Sequence, residues 1–225
     1  MKISYRLVII IAVFITCLIT ANIIAVKVIS LGPFTLPAAI FVFPISYIFG
    51  DILTEVYGYR VARRVIWLGF ACNLIFVFFA WIGQISPVAS FWGGQEAYEN
   101  ILGLTPRILG ASIAGYLVGE FVNSFVLAKM KILTAGRWLW SRTIGSTILG
   151  QGFDTAIFIT LAYIGTSSSV PTMIWHHWVF KVGIEAIFTP VTYVIVGWLK
   201  HKEGIDTYDY RTKYNPFRLY EKEQA

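Results

Sequence analysis

Six stretches of this sequence stay apolar for about twenty residues each, and that repetition leaves the chain one plausible solvent. They cover residues 7–29, 37–57, 65–87, 107–128, 143–164 and 173–199. A helix of about 20 mostly apolar residues crosses the hydrocarbon core of a bilayer. In lipid each backbone N–H and C=O must be satisfied within its own segment, so runs of this length are helical. The chain is 57% hydrophobic and only 13% charged, where a soluble domain carries roughly 25% charged residues. Its mean hydropathy is +0.69. The expected fold is therefore all-α, a polytopic membrane protein with six transmembrane helices. Residues 1–200 would form one transmembrane domain and residues 201–225 a basic C-terminal tail.

Proline placement supports these limits. Pro37 and Pro106 stand where a helix can start, and Pro87 closes the third run. The one long connection, 88–106, carries Trp92, Glu96, Tyr98 and Glu99 and is expected to lie at the interface as a short helix or loop. Lys2 and Arg6 before the first run also fit a signal peptide. The run extends well past a 7–15-residue signal core and lacks an A-x-A cleavage pattern, so it is read as an uncleaved helix.

Basic residues orient the helices, because positive loops stay on the cytoplasmic side. Lys2 and Arg6 precede the first run, Arg60, Arg63 and Arg64 follow the second, and Lys129, Lys131, Arg137 and Arg142 follow the fourth. Lys200, Lys202, Arg211, Lys213, Arg218 and Lys222 fill the tail. Fifteen of the eighteen lysines and arginines thus fall on one side, against Arg107 on the other. Both termini are expected to be cytoplasmic, in the cell (inner) membrane. The net charge of +6 is then a topology signal rather than a nucleic-acid footprint. Trp67, Trp138, Trp140 and Trp198 near the predicted helix ends fit interfacial aromatics. Cys17 and Cys72 sit inside apolar runs, which argues against a disulfide or a metal site.

Seven ionisable residues lie where lipid should be: Lys27, Asp51, Glu55, Glu120, Asp154, Lys181 and Glu185. A charge at the bilayer centre costs at least about 2.5–3.5 kcal/mol, so such groups face a cavity or one another. Helical spacing sorts them into stripes: Tyr47, Asp51 and Glu55 on the second run; Ser112, Tyr116, Glu120 and Asn123 on the fourth; Thr147, Gln151, Asp154 and Phe158 on the fifth; His177, Lys181 and Glu185 on the sixth. The first run adds Asn22 and Lys27. Pro44 and Pro190 stand within two of the runs, where a missing N–H can open the backbone.

Several of these residues carry a structural alternative. Glu55 has Arg60, Arg63 and Arg64 to pair with, and Glu120 has Lys129 and Lys131. Lys27 can snorkel to the outer surface, and Lys181 with Glu185 can form an i,i+4 ion pair. Asp51 and Asp154 lie more than a turn from any helix end and resist such explanations. Two bases against five acids leave a net −3 in the interior, which calls for protonation or for a cationic or donor-rich ligand. Ala111, Gly115 and Gly119, and again Ala21 and Ala25, make small-residue ridges suited to close helix contact, within one chain or across a homodimer.

The segment FPISYIFGDILTEVYGYRVARR (43–64) resembles the signature of the queuosine precursor transporters, also called the vitamin-uptake-like group. ANIIAVK (21–27), RILGASIAGY (107–116), GQGFDTAIF (150–158) and FKVGIEAIFTPVTY (180–193) extend the similarity, in order, over nearly the whole chain. The resemblance implies six transmembrane helices and uptake of 7-deazaguanines such as preQ0 and preQ1 for queuosine salvage in transfer RNA. Recurring polar positions of that family match Asn22, Asp51, Asp154 and Lys181; Glu55 and Gln151 stand at positions where its members differ. A carboxylate, Asp154 or Glu185, would accept the two donors of a guanine-like edge. Lys181, Asn22 or Gln151 would donate to its oxygen and ring acceptors. Phe158 or Trp178 would stack on the ring.

Two other functions are weaker. An intramembrane aspartyl enzyme would use Asp51 and Asp154, but its YD and GxGD motifs are missing. The adjacent His176 and His177 make a poor zinc pair, and no G-x-S-x-G elbow is present. No enzyme, cofactor or metal is therefore expected. The second alternative is a substrate-binding subunit of an energy-coupling-factor importer. With no Walker A sequence, the chain would then need an ATPase partner. The buried acids favour an autonomous carrier, with proton coupling as its engine.

Overall fold

The computed structural model describes residues 4–31, 34–103, 106–163, 165 and 170–218; Lys2 and Lys222 lie outside them. Helix α1 (Tyr5–Ile24) is followed by a small antiparallel hairpin of β1 (Val28–Leu31) and β2 (Phe34–Pro37). A 3-10 turn (Ala38–Phe41) leads into α2 (Phe43–Tyr57), and then come α3 (Tyr59–Ile85), α4 (Gln95–Leu102), α5 (Pro106–Leu133), α6 (Leu139–Tyr163) and α7 (Val170–Glu203). Five of these, α1, α3, α5, α6 and α7, are long and apolar enough to cross a membrane. The chain is a polytopic helical membrane protein.

The second apolar run differs from expectation. Instead of one helix over 37–57, Pro37 ends a strand and precedes the 3-10 turn, and the α-helix begins only at Phe43. Pro44 sits in the first turn of α2, where its missing N–H costs nothing, so it starts this helix and does not break it. The resulting 15-residue helix is about 22 Å long, short of the ~30 Å hydrocarbon core. The first run also stops early: Lys27 lies in the turn after α1, exposed, and not on the helix. The long connection folds as expected into a short helix, α4.

Helix α2 lies inside the bundle. It packs against α1, α3, α5 and α7, while α3 also meets α1 and α5, α5 meets α6, and α6 meets α7. Twelve of its fifteen residues are buried, so its polar side chains face protein and not lipid. The apolar core gathers round it: Ile48, Ile52, Leu53 and Val56 against Leu7, Ile10 and Phe14 of α1, Val65 of α3, and Val196 and Leu199 of α7. Outward faces carry Phe78, Phe79 and Trp81 on α3, Phe153 and Leu161 on α6, and Ile187 and Val194 on α7, all exposed as lipid-facing residues would be.

The closest helix crossing is α5 on α6. A Cβ at Gly119 would stand 2.6 Å from Asp154 Cβ and 3.0 Å from the Gly150 carbonyl oxygen, and one at Gly150 would meet Asn123 Cβ at 2.7 Å. The small-residue ridge of α5 is therefore used within the chain, where it lets the backbones approach. The Ala21–Ala25 ridge of α1 instead borders a cavity.

The tail folds back as a strap over the α2–α3 junction. The Asp209 carboxylate accepts from the Tyr59 N–H at 2.9 Å, capping α3, and Thr207 N–H donates to the Val56 carbonyl at 3.1 Å. Gly58 joins α2 to α3 at φ +84°, and a Cβ there would meet Thr207 Cγ2 at 2.6 Å. Arg63 holds the carbonyls of Lys213 (2.9 Å) and Asn215 (2.7 Å), and Trp67 Nε1 that of Pro216 (2.8 Å).

Candidate functional site

The polar stripes of five long helices and the start of α2 converge on a cavity of about 400 Å³. Helix α1 contributes Asn22; α2 contributes Phe43, Ser46 and Tyr47; α3 contributes Phe70 and Asn73. From α5 come Ser112, Tyr116 and Glu120, from α6 Gln151, Asp154, Thr155 and Phe158, and from α7 His177 and Lys181. Spacings of three and four residues put each helix's set on one face, which is why separate stripes can enclose one space. The early start of α2 places Phe43 and Tyr47 beside it, and Tyr47 stacks on Phe43 with ring centroids 6.0 Å apart.

Three polar pairs organise the wall. Lys181 Nζ donates to Asp154 Oδ2 at 2.5 Å, bridging α7 and α6. Both side chains keep some exposure, 14% and 20%, so the pair remains in reach of a ligand. The Tyr47 hydroxyl donates to Gln151 Oε1 at 3.3 Å. Asn22 Nδ2 donates to Asn73 Oδ1 at 2.7 Å, and Asn73 Nδ2 to the Gly69 carbonyl at 3.0 Å. Lys181 also lies 5.5 Å from the Phe43 ring centroid. The alternative Lys181–Glu185 ion pair does not form, because Lys181 turns to Asp154.

Asn22, Tyr47, Gln151, Asp154, Phe158 and Lys181 therefore line the cavity together; five other sequence candidates do not. Asp51 is buried behind it, with one carboxylate oxygen accepting from Asn123 Nδ2 at 3.0 Å and the other without a hydrogen bond. Glu185 is fully buried and neither of its oxygens is hydrogen-bonded. Trp178 donates its ring N–H to the Ile148 carbonyl at 2.8 Å, against Gly152. Lys27 is exposed beyond α1.

Glu55, the fifth, belongs to a second polar centre. Arg142 Nη2 (2.8 Å) and Lys200 Nζ (2.6 Å) both reach its Oε1, and Lys131 Nζ lies 3.6 Å away. Asp206 of the tail joins the two lysines at 2.5 and 2.9 Å. Burial opposes ionisation of Asp206, but hydrogen bonds from Lys131 and Lys200 outweigh it and hold this carboxyl below the usual range. Among the described residues, the cations that reach Glu55 come from α5, α6 and α7.

The sequence carries no signal for Asn73, isolated in an apolar helix, and leaves Glu120 open between the polar stripe of its helix and a pairing with Lys129 or Lys131; the structure puts it on the cavity wall. In sequence, Arg142 reads as a loop residue. The signal for Arg142 was present: Arg142, Ser146, Gly150 and Asp154 recur every four residues, a polar and small-residue face continuous with the cavity stripe. Among the described residues, no three of His, Cys, Asp or Glu are grouped to hold a metal ion.

Comparison with known proteins points to a transporter family. The profile of a family described as "Putative vitamin uptake transporter" matches residues 37–195. A Bacillus subtilis (strain 168) protein named "Probable queuosine precursor transporter" is 29% identical over 181 residues, 78% of each chain. The "Queuosine precursor transporter" of Escherichia coli (strain K12) is 25% identical over 156 residues, 66% of each chain. No solved structure matches. The chain belongs to the vitamin-uptake transporter family, a family of transporters and not of enzymes.

Proposed function

We propose that this member of the vitamin-uptake transporter family imports queuosine precursors, 7-deazaguanines such as preQ0 and preQ1, through the cavity between its helices. The observation that carries the proposal is the Asp154–Lys181 pair on the cavity wall, flanked by Gln151, Tyr47, Asn22 and Asn73. A guanine-like edge presents two donors side by side, which one carboxylate accepts. Asp154 takes that part, since Glu185 does not reach the cavity. Lys181 and the amide of Gln151 or Asn22 donate to the ring's carbonyl and nitrogen acceptors. Phe43 and Phe158 supply apolar faces for the flat ring, a contact worth about 1–3 kcal/mol. The names of the Bacillus and Escherichia relatives support the same substrate class.

In this proposal α2 and its preceding 3-10 turn complete a sixth crossing, both termini face the cytoplasm, and the chain sits in the cell (inner) membrane. The buried carboxylates of Glu185, with neither oxygen hydrogen-bonded, and of Asp51, with one oxygen left over, are the groups that would take up and release protons during the cycle. The test is precursor rescue in a bacterium that neither makes preQ0 nor imports it. With this chain expressed and nanomolar precursor supplied, queuosine should return to transfer RNA and be lost in Asp154→Ala. No rescue despite good membrane expression would overturn the substrate assignment.

A further inference from the structure

Among the described residues, three carboxylate or ammonium side chains line the cavity: Asp154, Lys181 and Glu120. Asp154 and Lys181 pair with each other across 2.5 Å, so the acid of this set without an ion-pair partner is Glu120. This side chain is 9% exposed and lines the cavity. Among the described residues no hydrogen bond or ion pair reaches it, in contrast to Glu55, which three cations surround. On its α2 side lies Gly50, where even an added Cβ would stand 3.5 Å from Glu120 Oε2 and offer it no donor. A buried carboxylate normally finds a partner, because leaving it bare costs far more than a lost hydrogen bond. Lys129 and Lys131, the cations nearest in sequence, are engaged elsewhere: Lys129 lies 4.3 Å from the Tyr214 ring centroid, and Lys131 binds Glu55 and Asp206.

We infer that the missing partner is the ligand, and that Glu120 selects a ligand bearing a primary ammonium group. This rests on the proposed substrate class and adds a specificity element to it: Asp154 and Lys181 read the heterocycle's edge, while Glu120 reads its substituent. A charge-assisted N–H···O bond in a dry site is strong and directional, and a neutral substituent cannot supply it. The aminomethyl-bearing 7-deazaguanine meets this demand, and its nitrile counterpart does not.

The test is equilibrium binding of these two ligands to the full chain in lipid nanodiscs. The parent chain should bind the aminomethyl ligand about 10- to 100-fold more tightly than the nitrile. Glu120→Gln should remove that preference, weakening the aminomethyl ligand much more than the nitrile, and Glu120→Asp, which keeps the charge, should retain most of it. Nitrile binding by each variant reports an intact fold. Equal loss for both ligands in Glu120→Gln overturns the assignment while the substrate class stands. So does a parent chain without preference for the ammonium, whatever the variants do. A parent chain that binds neither ligand overturns the substrate class and this inference with it.

Discussion

At the scale of single residues, the Asp154–Lys181 contact combines two duties that mutation can separate. Removing one member of a largely buried pair leaves the other charge uncompensated, which is worse than removing both. Lys181→Met should therefore destabilise the chain by on the order of 2–3 kcal/mol, and Asp154→Asn combined with Lys181→Met should recover much of that loss. Thermal unfolding in detergent checks this, and a double variant no more stable than the single would contradict it. Uptake should stay absent in both, since the single variant lacks the ligand's donor and the double variant its donor and its carboxylate acceptor. Gly119 offers a packing test of the same region. Its added methyl would enter the space of Asp154 Cβ and the Gly150 carbonyl, so Gly119→Ala should cost about 1–3 kcal/mol and displace Asp154. Intramembrane charge brought out Asp154, Lys181 and Glu120, which line the cavity, together with Lys27, Asp51, Glu55 and Glu185, which do not. Asn73 was not legible, because a lone amide in an apolar helix has no periodic partner. Lys27 was misplaced because an apolar run does not show where a hairpin takes over from a helix.

At the scale of elements, α2 and the tail depart most from the pattern of uniform spans. A central helix only 15 residues long reads in sequence like any other apolar run, because burial in protein and exposure to lipid select the same side chains. Only Pro37 and Pro44 marked the break, and their spacing was open to several interpretations. The tail's role was hidden for another reason: its basic residues signal topology, whereas its docking depends on Asp206, Asp209 and backbone carbonyls. Asp209 caps α3 in a place where Gly58 offers no side chain. Asp209→Ala should cost about 1 kcal/mol and expose the tail to limited proteolysis; an unchanged cleavage rate would contradict the capping role. Asp206 gives the strap a pH dependence. Its carboxyl is held below the ordinary value of 3.8, so its contribution is complete above that value and is lost as pH falls through the lower folded one. Tail cleavage by an acid-tolerant protease should rise below about pH 4, and less so in Asp206→Asn.

At the scale of the whole molecule, the structure brings together what six apolar runs can only suggest: a short helix, α2, packed among α1, α3, α5 and α7, with the cavity at its start and an ion cluster at its end. That arrangement suits a carrier in which the Glu55 cluster and the tail close one end while the cavity binds at the other. It also predicts topology. Single cysteines in the tail and in the Arg60–Arg64 connection should label from the same, cytoplasmic side, and cysteines in α4 from the opposite side. The most direct measurement is uptake by the purified chain alone, reconstituted in vesicles and supplied with labelled aminomethyl 7-deazaguanine. The account predicts saturable accumulation that Asp154→Ala abolishes and an imposed proton gradient enhances. Vesicles that contain correctly folded protein and take up no more label than empty ones would contradict it.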